Sequence, residues 1–185
     1  GAGYFPVAEK KVQDFYTEKY GVVHPTKAGL KIPEIFDAAI NKEVKALWII
    51  GEDVVQTDPN SAHVAQAMNA LDLLVVQEIF LSDTAKHADV VLPGTTFLEK
   101  DGTFTNTERR IQRVNKAVDP LPGTKPDGVI VTDMMQKLGF KQPDYNADQV
   151  LAEIADVVPF FKGVTRERLG KLGLQWPVQE DGTDT

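Results

Sequence analysis

Ala46-Leu47-Trp48-Ile49-Ile50-Gly51 is the first of three short apolar runs that together decide the fold. The second run is Leu73-Leu74-Val75-Val76 and the third is Val90-Val91-Leu92, which Pro93 ends. Uninterrupted apolar runs of this length are typical of strands that are buried on both faces. A helical apolar pattern lies between the first two runs, and a strand, helix, strand connection of that size predicts a right-handed crossover and a parallel pair.

Further helices are predicted on either side of these strands. Pro33 marks a first helical turn, Asp58 and Pro59 offer a cap and first-turn proline, and Asn146 caps a helix near the end of the chain. The predicted fold class is α/β, a mostly parallel sheet with helices on both faces, similar to a Rossmann dinucleotide-binding segment and followed by C-terminal helices.

One segment over residues 1–185 is predicted to contain all these elements. It divides into an extension over 1–30, an α/β core over 31–140 and a helical tail over 141–185, and the chain closes with a polar tail. Because the chain begins with Gly1 and its first methionine is Met68, we expect it to be a piece of a longer protein.

Composition excludes several classes of function. The 185 residues carry a net charge of -7, so polyanions such as nucleic acids would meet repulsion, and no apolar run is long enough for a membrane span. The absence of cysteine excludes disulfides, zinc knuckles, iron-sulfur clusters and thiolate chemistry on these residues. We therefore expect no nucleic-acid partner, no membrane partner and a cytoplasmic location.

The loop after the first strand is the first candidate binding segment, because ligands of open parallel sheets bind beyond the carboxyl ends of the strands. Gly51 allows a sharp turn or a close ligand approach, and carboxylates at Glu52, Asp53 and Asp58 surround the hydroxyl of Thr57. Carboxylates in such a place accept hydrogen bonds from ribose hydroxyls or a guanine edge. Alternatively, Asp58 only caps its helix and the other side chains are solvated, and both interpretations stay open.

The loop after the second strand is another candidate. Gln77 and Glu78 stand directly at the strand end, where dinucleotide-binding folds place an acidic ribose ligand. Ser82, Asp83 and Thr84 follow, and they could equally provide cap chemistry for a short helical turn near Thr84.

The stretch after Pro93 and through Arg113 is predicted to be a long functional loop with one short strand. Residues 99–110 within it are dense in donors and acceptors, as a ligand-facing loop requires. Arg109 and Arg110 could bind phosphate, but internal salt bridges at the surface are favoured. The three histidines have no metal-binding spacing, so no metal site is predicted.

The same segments carry a resemblance to a known family. Residues 74–85, 88–93, 99–110 and 111–114 resemble the molybdopterin oxidoreductases, and the nearest match within that family is the large subunit of formate dehydrogenases. The resemblance extends from about Lys31 to the Leu174-Gln175-Trp176-Pro177 tail.

The resemblance implies an enzyme with bis(molybdopterin guanine dinucleotide) and molybdenum or tungsten, which oxidises formate to carbon dioxide or catalyses the reverse. It places cofactor contacts on Asp53, Thr57, Gln77, Glu78, Lys100 and Asp127. Together with the strand-end loops, the candidate cofactor-binding residues are Gly51, Glu52, Asp53, Thr57, Gln77, Glu78, Thr84, Lys100 and Asp127.

The resemblance also implies what this chain lacks. The family's metal is ligated by cysteine or selenocysteine and its first electron acceptor is an N-terminal iron-sulfur cluster, so both would lie in other regions, and no residue here is expected to be catalytic or metal-ligating. The implied partners are the remaining domains of the large subunit and electron-transfer subunits. Two alternatives stay open: another molybdopterin oxidoreductase, and an α/β interaction module without a redox role.

Overall fold

The computed structural model describes residues 5–184, which form seven helices and six strands among the described residues. In chain order these are α1 (Lys10–Tyr20), α2 (Ile32–Ile40), β1 (Ala46–Ile50), α3 (Val54–Thr57), α4 (Ser61–Ala70), β2 (Leu73–Glu78), β3 (Val90–Pro93), β4 (Gly102–Thr105), β5 (Arg110–Val114), α5 (Asp127–Lys137), α6 (Ala147–Val157), α7 (Arg166–Leu169) and β6 (Leu174–Gln175). Short 3-10 turns cover Ala85–His87, Phe97–Glu99 and Pro159–Phe161.

The predicted parallel sheet is confirmed. Its strand order is β1-β2-β3, with Ile50 opposite Gln77 and Gln77 opposite Leu92. All three strands therefore end together, and we call this side of the sheet its carboxyl edge. The loops that follow the strands begin at this edge.

The main core lies on one face of this sheet. Leu74 and Val76 of β2 are buried with Val64, Ala67 and Met68 of α4, and α2 packs beside them through Phe36 and Ala39. Side chains alternate along a strand, so Gln77 points to the opposite face from Val76. There the amide of Gln77 reaches Asp127, the first residue of α5.

The prediction of a long loop with one short strand between Pro93 and Arg113 is wrong. β4 and β5 form an antiparallel hairpin in which Gly102 faces Val114, and β6 pairs with β5 through Leu174 and Ile111. The polar tail is accordingly part of a second sheet. The hairpin was missed because Ile111 is the one fully buried side chain of β4 and β5, so the apolar alternation of a half-buried strand is absent.

The predicted helix cap at Asp58 is also wrong. The cap of α4 is Asn60, whose side chain accepts a hydrogen bond from the backbone N–H of His63 at 3.3 Å, while Asp58 accepts one from the N–H of Asn60 at 2.8 Å. The predicted cap at Asn146 is confirmed, with its side-chain oxygen 3.0 Å from the nitrogens of Asp148 and Gln149.

Two smaller cores hold the rest of the chain. Ile111 packs with Leu151, Val164, Leu169 and Val178, which joins the second sheet to α6 and α7. A third group joins α1 to the end of α6 through Val12, Tyr16, Val157 and Val158. No helix within residues 5–184 has the length and apolar character needed to cross a membrane.

Leu74→Ala tests the core. Leu74 is 1% exposed at the centre of the parallel sheet, and its truncation is expected to lower the free energy of unfolding by about 2–5 kcal/mol. The measurement is urea unfolding followed by circular dichroism. The matched control is Leu172→Ala, at a leucine that is 81% exposed, and its effect is expected within about 0.5 kcal/mol of zero. Equal effects of both changes would contradict the assigned core.

Candidate functional site

Gln77 lies at the carboxyl edge of the sheet, near the end of the central strand. Its side chain is fully buried, and its Nε2 donates to Oδ1 of Asp127 at 2.8 Å. The amide oxygen Oε1 is also buried and has no hydrogen-bond partner among the described residues. Buried polar atoms are almost always paired, so this unpaired acceptor makes Gln77 a candidate for contact with a ligand.

Asp127 is the first residue of α5 and joins Gln77 to Lys100. Its second oxygen accepts a hydrogen bond from the ammonium of Lys100. Burial opposes ionisation of Asp127, but the hydrogen bonds from Lys100 and Gln77 outweigh it, so the pKa of this carboxyl lies below its usual range. A carboxylate in the first turn is also stabilised by the helix dipole. Asp127 is therefore held as an anion with a fixed orientation.

Lys100 connects Asp127 to the loop that follows β3. Its ammonium donates to the backbone oxygen of Thr95 at 3.1 Å. Thr95 is 2% exposed, and its hydroxyl is buried without a partner among the described residues. We name Gln77, Thr95, Lys100 and Asp127 the strand-end cluster.

Gly94 allows the loop after β3 to approach this cluster. A side chain there would place its Cβ 3.1 Å from Oδ1 of Asp127 and 3.8 Å from the backbone oxygen of Glu78. The N–H of Gly94 donates to that same oxygen of Glu78 at 3.0 Å. A larger residue would therefore crowd the carboxylate of Asp127.

A second group of candidate residues lies in the loops after β1 and β2. Oδ1 of Asp53 accepts from the hydroxyl of Thr84 at 2.6 Å and from its N–H at 2.9 Å, while Oδ2 accepts from the N–H of Asp83 at 3.3 Å. Thr84 is fully buried, and its hydroxyl oxygen accepts the N–H of Val55 at 3.0 Å. The hydrogen bond from the hydroxyl of Thr84 contributes most to lowering the pKa of Asp53. Burial opposes this shift, and the backbone N–H groups of Thr84 and Asp83 lower the pKa further.

The remaining candidate residues make local contacts. Gly51 has φ 63°, which favours glycine, and its N–H donates to the backbone oxygen of Gln77 at 2.9 Å. Glu52 accepts from the hydroxyl of Thr57 at 2.6 Å, and Glu78 accepts from the N–H of Ile79 at 2.7 Å. Of the three carboxylates expected around Thr57, only Glu52 contacts its hydroxyl, because Asp53 and Asp58 bind other groups.

The structure thus divides the candidate residues into groups. Gln77, Lys100 and Asp127 are joined in one network, and Asp53 and Thr84 form another. The backbone bond between Gly51 and Gln77 ties their loops together. Within residues 5–184 no cluster of three or more potential metal ligands is present.

Sequence reasoning missed two residues of this region, Thr95 and Gly94. Both follow Pro93 directly, so the position after a strand end was the available signal. The favoured interpretation of the two arginines is confirmed for Arg110, whose Nε is 2.8 Å from a carboxylate oxygen of Glu108.

The sequence model of the molybdopterin oxidoreductase family matches residues 13–137, which is more than half of the chain. The chain belongs to the molybdopterin oxidoreductase family. The residues of the strand-end cluster all lie within this match.

Several similar proteins in this family are named as formate dehydrogenases. The alpha subunit of formate dehydrogenase 1 from Methanococcus maripaludis is 46% identical over 164 residues, which cover 88% of this chain and 24% of that protein. A Staphylococcus haemolyticus protein provisionally named a formate dehydrogenase is 43% identical over 183 residues, which cover 98% of this chain and 19% of that protein. The chain therefore spans about a fifth to a quarter of these relatives.

A solved structure shares the fold of this molybdopterin oxidoreductase chain. Acetylene hydratase from Pelobacter acetylenicus superposes with a TM-score of 0.61 at 19% identity, and the match covers 86% of this chain and 23% of that one. At this identity the likeness establishes the α/β fold.

Asp53→Asn tests the second group through its pH dependence. The folded-state pKa of Asp53 is below the ordinary value of an aspartate, so its charge stabilises the fold above the unfolded pKa, and that stabilisation is lost as pH falls through the folded pKa. The loss of stability on substitution is expected to be full at pH 7 and to shrink below about pH 4. Urea unfolding between pH 2.5 and pH 7 measures it.

Asp144→Asn, at an exposed position in the loop before α6, is the matched control and is expected to leave stability nearly unchanged. A difference between wild type and Asp53→Asn that is independent of pH would contradict an ionised, hydrogen-bonded Asp53.

Proposed function

We propose that this chain is part of the large subunit of a molybdenum- or tungsten-dependent formate dehydrogenase, where it holds the guanine-dinucleotide end of bis(molybdopterin guanine dinucleotide). The observation that supports this most is the unpaired buried oxygen of Gln77 beside the ionised Asp127. The candidate residues of the proposed site are Gly51, Glu52, Asp53, Thr57, Gln77, Glu78, Thr84, Lys100 and Asp127.

The chemistry of the cluster fits the nucleoside end of such a cofactor. Oε1 of Gln77 is an acceptor, and the N–H groups of a guanine edge or the hydroxyls of a ribose are donors. Asp127 and Lys100 neutralise each other, while Glu52, Asp53 and Glu78 add negative charge to the same edge of the sheet. A neutral nucleoside is therefore a better match than phosphate oxygens.

Binding at Gln77 requires a local rearrangement. The acceptor oxygen is shielded from solvent in the free chain, so a ligand reaches it only when the side chains that cover it move. Part of the binding energy is used for this step, and the chain alone is expected to bind a nucleotide weakly.

The cofactor, when bound, supplies the metal centre at which formate is oxidised. The residues of this chain bind and orient it. In the proposal the metal-ligating residue and the iron-sulfur cluster belong to the remaining domains of the large subunit. The proposed partners are these domains and electron-transfer subunits, and the proposed location is the cytoplasm. The choice of formate rests on the identity to formate dehydrogenases.

Gln77→Leu tests the nucleotide site in the isolated chain. The leucine keeps most of the side-chain volume but removes the amide, so the affinity for guanosine 5′-diphosphate is expected to fall about tenfold, which is the effect of losing about 1.4 kcal/mol of hydrogen bonding. An NMR titration of backbone amides measures the affinity. Gln66→Leu, at an exposed glutamine of α4, is the matched control and should bind as wild type does. Equal affinities of wild type and Gln77→Leu would overturn the assignment.

The parent enzyme gives the second test. Gln77→Leu in the full-length subunit is expected to reduce the guanine nucleotide released per protein on acid treatment, together with formate oxidation. Full cofactor content and full activity in this variant would contradict the proposal.

A further inference from the structure

Tyr145 lies against the first turn of α5, at a place that only a glycine allows. A Cβ on Gly128 would be 2.1 Å from Cε2 and 2.4 Å from Cζ of the Tyr145 ring. Distances this short are impossible, so the absence of a side chain at residue 128 lets the ring pack on the helix directly after Asp127.

Tyr145 lines two neighbouring cavities. The first has a volume of about 300 Å³ and is also lined by Lys100, Asp127 and Phe104. The second has a volume of about 390 Å³, and Lys100 again lines it. Tyr145 thus shares its surroundings with two members of the strand-end cluster.

The hydroxyl of Tyr145 has hydrogen-bonding capacity that residues 5–184 do not use, since no bond to it is formed there. Tyr20 differs, because its hydroxyl donates to Glu153 at 2.9 Å. Burial, and then the charge of Asp127, raise the pKa of Tyr145. The phenol therefore stays protonated at neutral pH and is available as a donor.

We propose that Tyr145 is a further ligand-contacting residue, whose hydroxyl binds a ribose hydroxyl of a nucleoside held beside Asp127 and Lys100. The inference rests on the proposed function and extends its site by a residue outside the strand-end loops. The loop before α6 thereby contributes to the nucleoside site.

The chemistry of the first cavity favours a sugar over a phosphate. Ribose hydroxyls both donate and accept, so they match a carboxylate, an ammonium and a phenol placed together. A phosphate would meet the carboxylates of Asp127 and Asp101, which line the same cavity. Phe104 and Ile154 provide an apolar wall for the flat side of the sugar and base.

The test pairs Tyr145→Phe with a change in the ligand. Guanosine and 2′,3′-dideoxyguanosine are titrated into the wild-type chain and the variant, and NMR gives the four affinities. The wild type is expected to bind guanosine at least about tenfold more tightly than the dideoxy compound, and Tyr145→Phe is expected to lower this ratio, with Asp127 and Lys100 still contacting the ribose. Tyr20→Phe, the matched control, should keep the wild-type ratio because its hydroxyl is bonded to Glu153.

Gly128→Ala supplies a second variant, because the added methyl must displace the ring of Tyr145 and should lower the affinity ratio as well. If Tyr145→Phe keeps the wild-type ratio, or loses affinity for both ligands by the same factor, the role of the hydroxyl is overturned. The proposed function then still stands if the wild-type chain binds guanosine. A wild-type chain that binds neither ligand overturns the proposed function together with this inference.

Discussion

The hydrogen bond between the amide of Gln77 and the carboxylate of Asp127 connects two parts of the chain that are 50 residues apart in sequence. One partner is the last residue but one of the central strand of a parallel sheet, and the other is the first residue of α5. Because Asp127 also binds Lys100, this contact fixes β2, the loop after β3 and α5 relative to one another. The positions of Thr95, Gly94 and Tyr145 all depend on where Asp127 lies.

The polar side chains at the carboxyl edge have different roles. Asp53 binds Thr84 and its neighbours, so it orders the loops after β1 and β2 and has little capacity left for a ligand. Gln77 and Thr95 are the opposite case, because each has a buried polar atom without a partner among the described residues. The proposed ligand contact is therefore placed on the side of the edge that contains Gln77, with the Asp53 network keeping the adjoining loops in place.

The sequence predicted those features that depend on local patterns. Apolar runs located the three strands, and the strand end at Gln77 followed from them. The network of Gln77 with Asp127 needed the family resemblance, since no local pattern links residues so far apart. The hairpin β4–β5 was missed because its side chains are mostly exposed, and the contact of Tyr145 with Gly128 has no sequence signal because it exists only through tertiary packing.

A crystal structure of the chain with guanosine 5′-diphosphate tests the central claim most directly. The account predicts that the nucleoside end of the ligand lies at the carboxyl edge, with a donor within hydrogen-bonding distance of Oε1 of Gln77 and with Asp127 still contacting Lys100. A nucleotide bound at another surface, with the amide of Gln77 turned away from Asp127, would contradict it.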